Sequence, residues 1–215
     1  MRKFIELLSQ SNVSLVRQSA SVLATFLKSE QLDYQLNAVQ KQRLAQYLET
    51  TTLVSENFGS PLDAHSVVAF SFGDSDDVNK RLANVATDLA RENGFLDAHI
   101  QQEVAEHITA LPNAHVIADD NYQTTTDVAR KALEKSVGRN VIVVAQAWHA
   151  KRCIETCQQV GLNVVGLRTV DRFPQNDPQP WVRNPINWVL KESQREFVTG
   201  QEVSRLLQQS IPIEK

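Results

Sequence analysis

Residues 140–152 read NVIVVAQAWHAKR and decide the fold. The run from 141 to 145 is short, apolar and rich in β-branched residues, which is typical of a strand buried on both faces. The spacing then becomes helical and continues to Gly161. A buried parallel strand that leads into a helix is the unit of an open α/β sheet, where ligands bind outside the carboxyl ends of the strands. We therefore expect a functional site at the joint between this strand and this helix.

Basic side chains follow the joint. His149, Lys151 and Arg152 fall in the first turn of the predicted helix, where free backbone N–H groups and the helix dipole disfavour cations. This arrangement predicts a bound phosphate or carboxylate that pairs with Arg152. The alternative is that Lys151 and Arg152 point into water while a neutral His149 caps the helix.

The composition is that of an ordinary globular protein, with 215 residues, 42% hydrophobic residues and a net charge of −3. This charge gives no general attraction for nucleic acid or anionic membranes, so the expected partner is a small anionic ligand. The start, MRKFIELLSQ, is interrupted by Glu6 and resembles neither a signal peptide nor a membrane span. We expect a cytoplasmic location without membrane insertion. Cys153 and Cys157 lie four residues apart, which predicts burial against the sheet rather than a disulfide or a metal site.

The periodicity changes along the chain. Helical stripes over residues 1–48 predict an N-terminal helical region, 1–62, with residues 50–63 as the linker. Afterwards strands alternate with helices; the strands are predicted at 66–72, 95–100, 114–118, 141–145 and 163–167. Thr124 and Asp127 form a predicted capping box, and Asn184 and Pro185 start a last helix. The alternation predicts an α/β fold in which residues 63–215 form a doubly wound, parallel, five-stranded Rossmann-like sheet.

The strand order decides which loops meet. The common order 3-2-1-4-5 has its switch point between the first and fourth strands. The residues that this order brings to one edge are Gly73, Asp74, Gln101, Glu103, Gln146, Trp148 and His149. A crevice with this lining could hold a nucleoside or a phosphorylated small molecule, although the G-x-G-x-x-G and P-loop motifs are absent. If the protein is an enzyme, His149 is the best general acid or base, tuned by Glu103 or Asp74.

Four stretches occur together in a distinctive order: VVAFSFG (67–73), TTTDVARKAL (124–133), VIVVAQAWHAKRC (141–153) and WVRNPINWVLKE (181–192). With QQEVA (101–105), they resemble the YdcF-like family, which also includes the ElyC and SanA envelope proteins. The resemblance implies a Rossmann-like domain with five motif residues: Gly73, Glu103, Thr125, His149 and Arg152. One member is described as binding S-adenosylmethionine, and membrane-anchored members are linked to cell-envelope polysaccharide metabolism, so the resemblance suggests S-adenosylmethionine as a cofactor.

Three functions remain open. The leading hypothesis is the binding of an anionic, nucleotide-like molecule, with Arg152 pairing its charge and Gly73 giving access to the backbone. The second is a scaffold or regulatory protein linked to cell-envelope metabolism, in which residues 1–48 dock a partner. The third is a phosphoester hydrolase whose divalent ion is held by Asp74 and either Asp119 or Asp120.

Overall fold

The computed structural model describes residues 2–4, 6, 8, 18–29, 33–34, 36–94 and 96–195. The strands are β1 (Arg2–Lys3), β2 (Asp33–Tyr34), β3 (Ser66–Ala69), β4 (Asp97–Gln101), β5 (Ala114–Ile117), β6 (Asn140–Gln146) and β7 (Asn163–Val170). The helices are α1 (Ala20–Lys28), α2 (Ala38–Thr50), α3 (Asp76–Glu92), α4 (Gln102–Ala105), α5 (Thr125–Lys135), α6 (Ala150–Val160), α7 (Pro180–Arg183) and α8 (Pro185–Ser193). The chain forms two compact units: unit 1 comprises Met1–Leu53 and Phe173–Lys215, and unit 2 comprises Val54–Arg172. The predicted domain boundary between residues 62 and 63 stays a prediction.

Unit 2 contains a five-stranded parallel sheet in the order β5-β4-β3-β6-β7. Counted along the sheet strands alone, this is the order 3-2-1-4-5. The predicted α/β class, the parallel pairing and the strand order are therefore confirmed. The switch point lies between β3 and β6, where Val68 is in register with Val143.

Helices cover both faces of this sheet. On one face α5 and α6 pack over Val68, Val143 and Ala145, all fully buried. Side chains alternate along a strand, so Val67 and Val144 point to the other face, where α3 packs against β3, β6 and β7. Double coverage explains why β6 is a continuous apolar run rather than an alternating one.

Local signals fix the ends of the helices that flank the sheet. The predicted capping box is present at α5: Thr124 Oγ1 accepts the Asp127 N–H, and Asp127 accepts the Thr124 N–H. At the C-terminal end of α6, Gly161 has a φ of 102°, which lets the chain reverse into β7. Helix α3 spans Asp76–Glu92, the same residues that the periodicity predicts.

The segment predicted as a linker contacts the outer edge of β7. Phe58 forms an antiparallel bridge with Leu167, and Asn57 Oδ1 accepts the Thr169 N–H at 2.8 Å. The Arg168 guanidinium donates to the Phe58 and Gly59 carbonyl groups. These bonds satisfy an edge that would otherwise present unpaired backbone groups.

Unit 1 contains the helices near both chain ends. The Asn37 side chain caps α2 in a capping box with Gln40, and Asn184 caps α8 directly before Pro185, as predicted. Gln18 donates to the Leu48 carbonyl at 2.9 Å and to the Thr51 carbonyl at 2.7 Å. The first members of the predicted helical stripes, at residues 15–16, lie outside the described residues. Within the described part of the chain, every helix is too short or too polar to cross a membrane.

Candidate functional site

The joint after β6 is held by the side chain of Gln146, which is fully buried. Its Oε1 accepts the N–H groups of Trp148 at 2.7 Å and His149 at 3.1 Å. Its Nε2 donates to the Arg172 carbonyl at 3.3 Å. Gln146, predicted as a ligand-binding residue, thus holds the backbone that presents His149 at the start of α6.

The imidazole of His149 lies in a largely apolar enclosure and is 6% exposed. Its ring centroid is 6.4 Å from that of Phe70 and 6.1 Å from that of Phe72, both in the segment that follows β3. The Cys153 sulfur is 3.2 Å from Nδ1 and 3.5 Å from Nε2, so it lies over the ring rather than in line with one nitrogen. The loops after β3 and β6 therefore meet, as the strand order predicts.

Arg152 joins the first turns of α5 and α6. Its Nη1 donates to Thr125 Oγ1 at 2.7 Å, and its Nη2 is 3.4 Å from His149 Nε2. A guanidinium can only donate, so Nε2 is the acceptor in this contact. The structure brings together three of the predicted site residues: Thr125, His149 and Arg152.

Lys151, the neighbouring cation, has a different environment. Its Nζ is 3.7 Å from Glu155 Oε1, one turn along α6, and its side chain is 41% exposed. The two cations at this helix start are therefore distinct: Lys151 forms a surface ion pair, whereas Arg152 is half-buried between helices.

The loop after β3 is shaped by Asn79, which sequence reasoning missed. Asn79 Oδ1 accepts the Phe72 N–H at 3.0 Å, and its Nδ2 donates to the Gly73 carbonyl at 3.0 Å. Gly73 has a φ of 72°, a left-handed conformation that glycine adopts without strain. An asparagine within an amphipathic helix carries no pattern that distinguishes this role from that of a surface residue.

Two predicted residues, Gln101 at the end of β4 and Glu103 in α4, also reach this loop. Gln101 Oε1 accepts the Ser71 N–H at 3.0 Å. Burial raises the pKa of Glu103, and the nearby Asp74 carboxylate adds to this rise, while hydrogen bonding to Ser71 opposes it. Among the described residues, none hydrogen-bonds Glu103 Oε2. Glu103 is thus more easily protonated than an ordinary surface glutamate.

The loop after β5 carries the aspartates of the metal hypothesis. Asp119 accepts from Lys131 Nζ at 2.7 Å, and this hydrogen bond is the main reason that the pKa of Asp119 is lowered. In the described ranges, no group of three or more histidine, cysteine or acidic residues has the geometry to hold a metal ion. The Asp119 carboxylate instead forms an ion pair with the Lys131 ammonium group.

The aromatic residues near the edge differ in exposure. Trp148, predicted as an aromatic wall, is buried, and its indole is part of the packed interior. Tyr122, on the loop between β5 and α5, is 58% exposed. Tyr122 is the more suitable platform for stacking a planar ligand ring, and the sequence analysis did not identify it.

Comparison of the chain with protein-family models, curated proteins and solved structures found no match. The site is therefore interpreted from its own geometry.

Proposed function

We propose that unit 2 binds an anionic small molecule at the carboxyl edge of its sheet, with Arg152 as the charge partner. The observation that carries this proposal is the position of the Arg152 guanidinium, half-buried between the first turns of α5 and α6. Helix N-termini attract negative charge, and a guanidinium binds the oxygens of phosphate or carboxylate through its fork of N–H groups. Thr125 and His149, both in contact with Arg152, are the residues through which the anion would also be contacted.

We propose further that the ligand is nucleotide-like. The exposed Tyr122 ring supports this, because it lies on the loop that leads into Thr125. The resemblance to the YdcF-like family suggests S-adenosylmethionine, whose carboxylate would pair with Arg152. In a catalytic version of this proposal, His149 acts as the general acid or base and Glu103 supplies a second one. The scaffold and metal-dependent hydrolase functions stay predictions from the sequence.

Thermal-shift measurements with nucleotides, S-adenosylmethionine, sugar phosphates and inorganic sulfate test this proposal. We expect wild-type protein to be stabilised, by roughly 3 kcal/mol at a ligand concentration of about 100 times Kd. Arg152→Ala should lose this stabilisation, because the charge partner is gone.

Lys151→Ala is the matched control, since it removes the adjacent cation from the same helix turn. Its thermal shift should equal that of wild type. Equal shifts for wild type and Arg152→Ala contradict the proposal, as does a loss confined to Lys151→Ala.

A further inference from the structure

The backbone groups of β5 alternate between the two sides of the strand. β5 is an outer strand of the sheet and pairs with β4 on its inner side. Ala98 N–H donates to the Asn113 carbonyl at 2.9 Å, so every second residue from Asn113 directs its backbone groups to β4. Ala114 and Val116 therefore direct their N–H and carbonyl groups away from the sheet.

Two of these four outward groups are satisfied within the chain. The Ala114 N–H donates to the Leu111 carbonyl at 3.1 Å, and the Val116 carbonyl accepts from Lys135 Nζ at 3.2 Å. Among the described residues, none hydrogen-bonds the other two groups, the Ala114 carbonyl and the Val116 N–H. Val116 is 47% exposed, so this part of the edge is accessible.

The two remaining groups match a parallel strand. In a parallel ladder, one residue bonds the carbonyl and the N–H on either side of the residue opposite it, which here is His115. An antiparallel residue instead exchanges both bonds with a single residue. That pairing would need the Ala114 N–H or the Val116 carbonyl, which already have partners. Two-fold pairing of β5 with a second copy is antiparallel and is disfavoured for the same reason.

One face of β5 borders an apolar groove. The groove has a volume of about 430 Å³ and lies between β5 and the segment that leads into it. Its lining includes Ile108, Leu111, Pro112, Ala114 and Val116. Because side chains alternate along a strand, the side chains of an added strand that pair with Ala114 and Val116 would also point to this groove. Apolar side chains suit these two positions.

The opposite face of β5 is covered by α5 and carries a cation. Ile117 packs there against Val128 and Ala132 of α5. Lys135, in the last turn of α5, reaches the edge from this face, and within the described part of the chain its ammonium group forms no ion pair.

The carboxylates nearest this edge have other partners. Asp119 pairs with Lys131 at 2.7 Å, and Asp97 lies 3.8 Å from His115 Nε2. An incoming carboxylate at this face would therefore complement the charge of Lys135.

We propose that β5 binds an extended peptide segment of another protein as a parallel strand, with the pattern apolar–acidic–apolar. The acidic residue lies opposite His115, where its N–H donates to the Ala114 carbonyl, its carbonyl accepts the Val116 N–H and its carboxylate pairs with Lys135. The two apolar residues point into the groove. This site is independent of the proposed function, because it uses the outer edge of the sheet and none of the ligand-binding residues.

An acetylated and amidated peptide, Thr-Val-Glu-Val-Thr, is the probe. Titration into nitrogen-labelled protein, followed by NMR, should show saturable binding with a Kd on the order of 1 mM. The Val116 amide signal should shift, and its hydrogen exchange should slow. The peptide Val-Thr-Glu-Thr-Val has the same composition but places threonine at the groove, so it should bind at least about fivefold more weakly. Absence of binding, or equal affinities of the two peptides, overturns the proposal.

The strand direction is tested with N-methylated peptides. Methylation of the glutamate nitrogen removes the N–H that donates to the Ala114 carbonyl, so the affinity should fall at least about tenfold. The N–H of the following valine points away from β5 in a parallel pair, and its methylation should change the affinity by less than about twofold. In an antiparallel pair, the valine N–H would face β5 and the ranking would reverse. Any ranking other than the first overturns the parallel arrangement.

The carboxylate is assigned by comparing the probe with Thr-Val-Gln-Val-Thr. Wild type should bind the glutamate peptide about threefold more tightly than the glutamine peptide. Lys135→Gln should lose this preference, because the cation is gone. Arg130→Gln is the matched control, since Arg130 is an exposed cation of the same helix that pairs with Asp127, and it should keep the wild-type ratio. A preference that survives in Lys135→Gln overturns the pairing with Lys135.

Discussion

Asn79 is the fourth residue of α3, yet its side chain serves the loop before that helix. The Gln146 side chain likewise accepts backbone N–H groups in the joint after β6. The Gln101 side chain accepts the Ser71 N–H. A carboxamide offers both a donor and an acceptor but no net charge. It can therefore hold backbone groups in place at the carboxyl edge without adding charge. The electrostatic potential there is then set by Arg152 and the helix dipoles.

Replacement of Asn79 tests this role. Asn79→Ala leaves the buried Phe72 N–H and the Gly73 carbonyl without their partner, so we expect the free energy of unfolding to fall by about 1 to 3 kcal/mol. Urea unfolding followed by circular dichroism measures the change. Asn84→Ala, at an exposed position of the same helix, should change the stability by less than about 0.5 kcal/mol. Similar losses in both variants would mean that helix propensity, not the loop contact, causes the effect.

At the scale of elements, β4 and β5 form the side of the sheet that ends in an edge strand. Lys135 donates to the Val116 carbonyl and Lys131 to the Ala118 carbonyl, which occupies backbone acceptors along this edge. Within this pair of strands, His99 is in register with His115, and the two rings stack with centroids 5.2 Å apart. Ser136 Oγ lies 3.0 Å from His99 Nε2. This side of the sheet therefore contains a fully buried imidazole, that of His99, beside the imidazole of His115 on the edge strand.

This pair makes the stability of the sheet sensitive to acid. Burial, and secondarily the neighbouring His115, lowers the pKa of His99 from 6.5 to about 4. The folded state thus binds fewer protons than the unfolded state below pH 6.5, so its stability is complete above that pH and is lost as the pH falls towards 4. The full loss is about 3 kcal/mol.

The measurement is urea unfolding at a series of pH values between 4 and 7.5. Wild type should lose stability across this window, and His99→Gln should lose distinctly less, because its amide does not titrate. His107→Gln is the control and should keep the wild-type slope. A wild-type slope in His99→Gln would assign the acid sensitivity to other groups.

At the scale of the whole molecule, helices and strands could be predicted from local sequence patterns, whereas contacts between segments that are distant in sequence could not. The β-branched run of β6, the capping box at Thr124 and the extent of α3 are encoded in neighbouring residues, and all were predicted. The contact of residues 54–60 with β7 was not predicted, because Asn57, Gly59 and Pro61 give that segment the composition of a loop. The sequence predicted that His149 lies at the edge of the sheet. It did not reveal the role of Asn79 or the contact between Arg152 and Thr125, because both depend on how elements pack against one another.

The close approach of Gly59 to β7 tests whether the segment from Val54 belongs to unit 2. A Cβ at Gly59 would lie 2.0 Å from the Val165 carbonyl oxygen, and Gly59 has a φ of 76°. Gly59→Ala therefore adds the strain of a left-handed residue, about 1 to 2 kcal/mol, to the loss of the bridge between Phe58 and Leu167. We expect the free energy of unfolding to fall by about 3 kcal/mol in total.

Gly94 is the matched control, because its φ of 74° is similar and a Cβ there would meet nothing within 4 Å. Gly94→Ala should carry the backbone strain alone, about 1 to 2 kcal/mol. The difference between the two variants, measured by urea unfolding, therefore isolates the contact with β7. If the two losses are equal, the segment before β3 adds nothing to the stability of the sheet, and unit 2 begins energetically near the predicted boundary at residue 63.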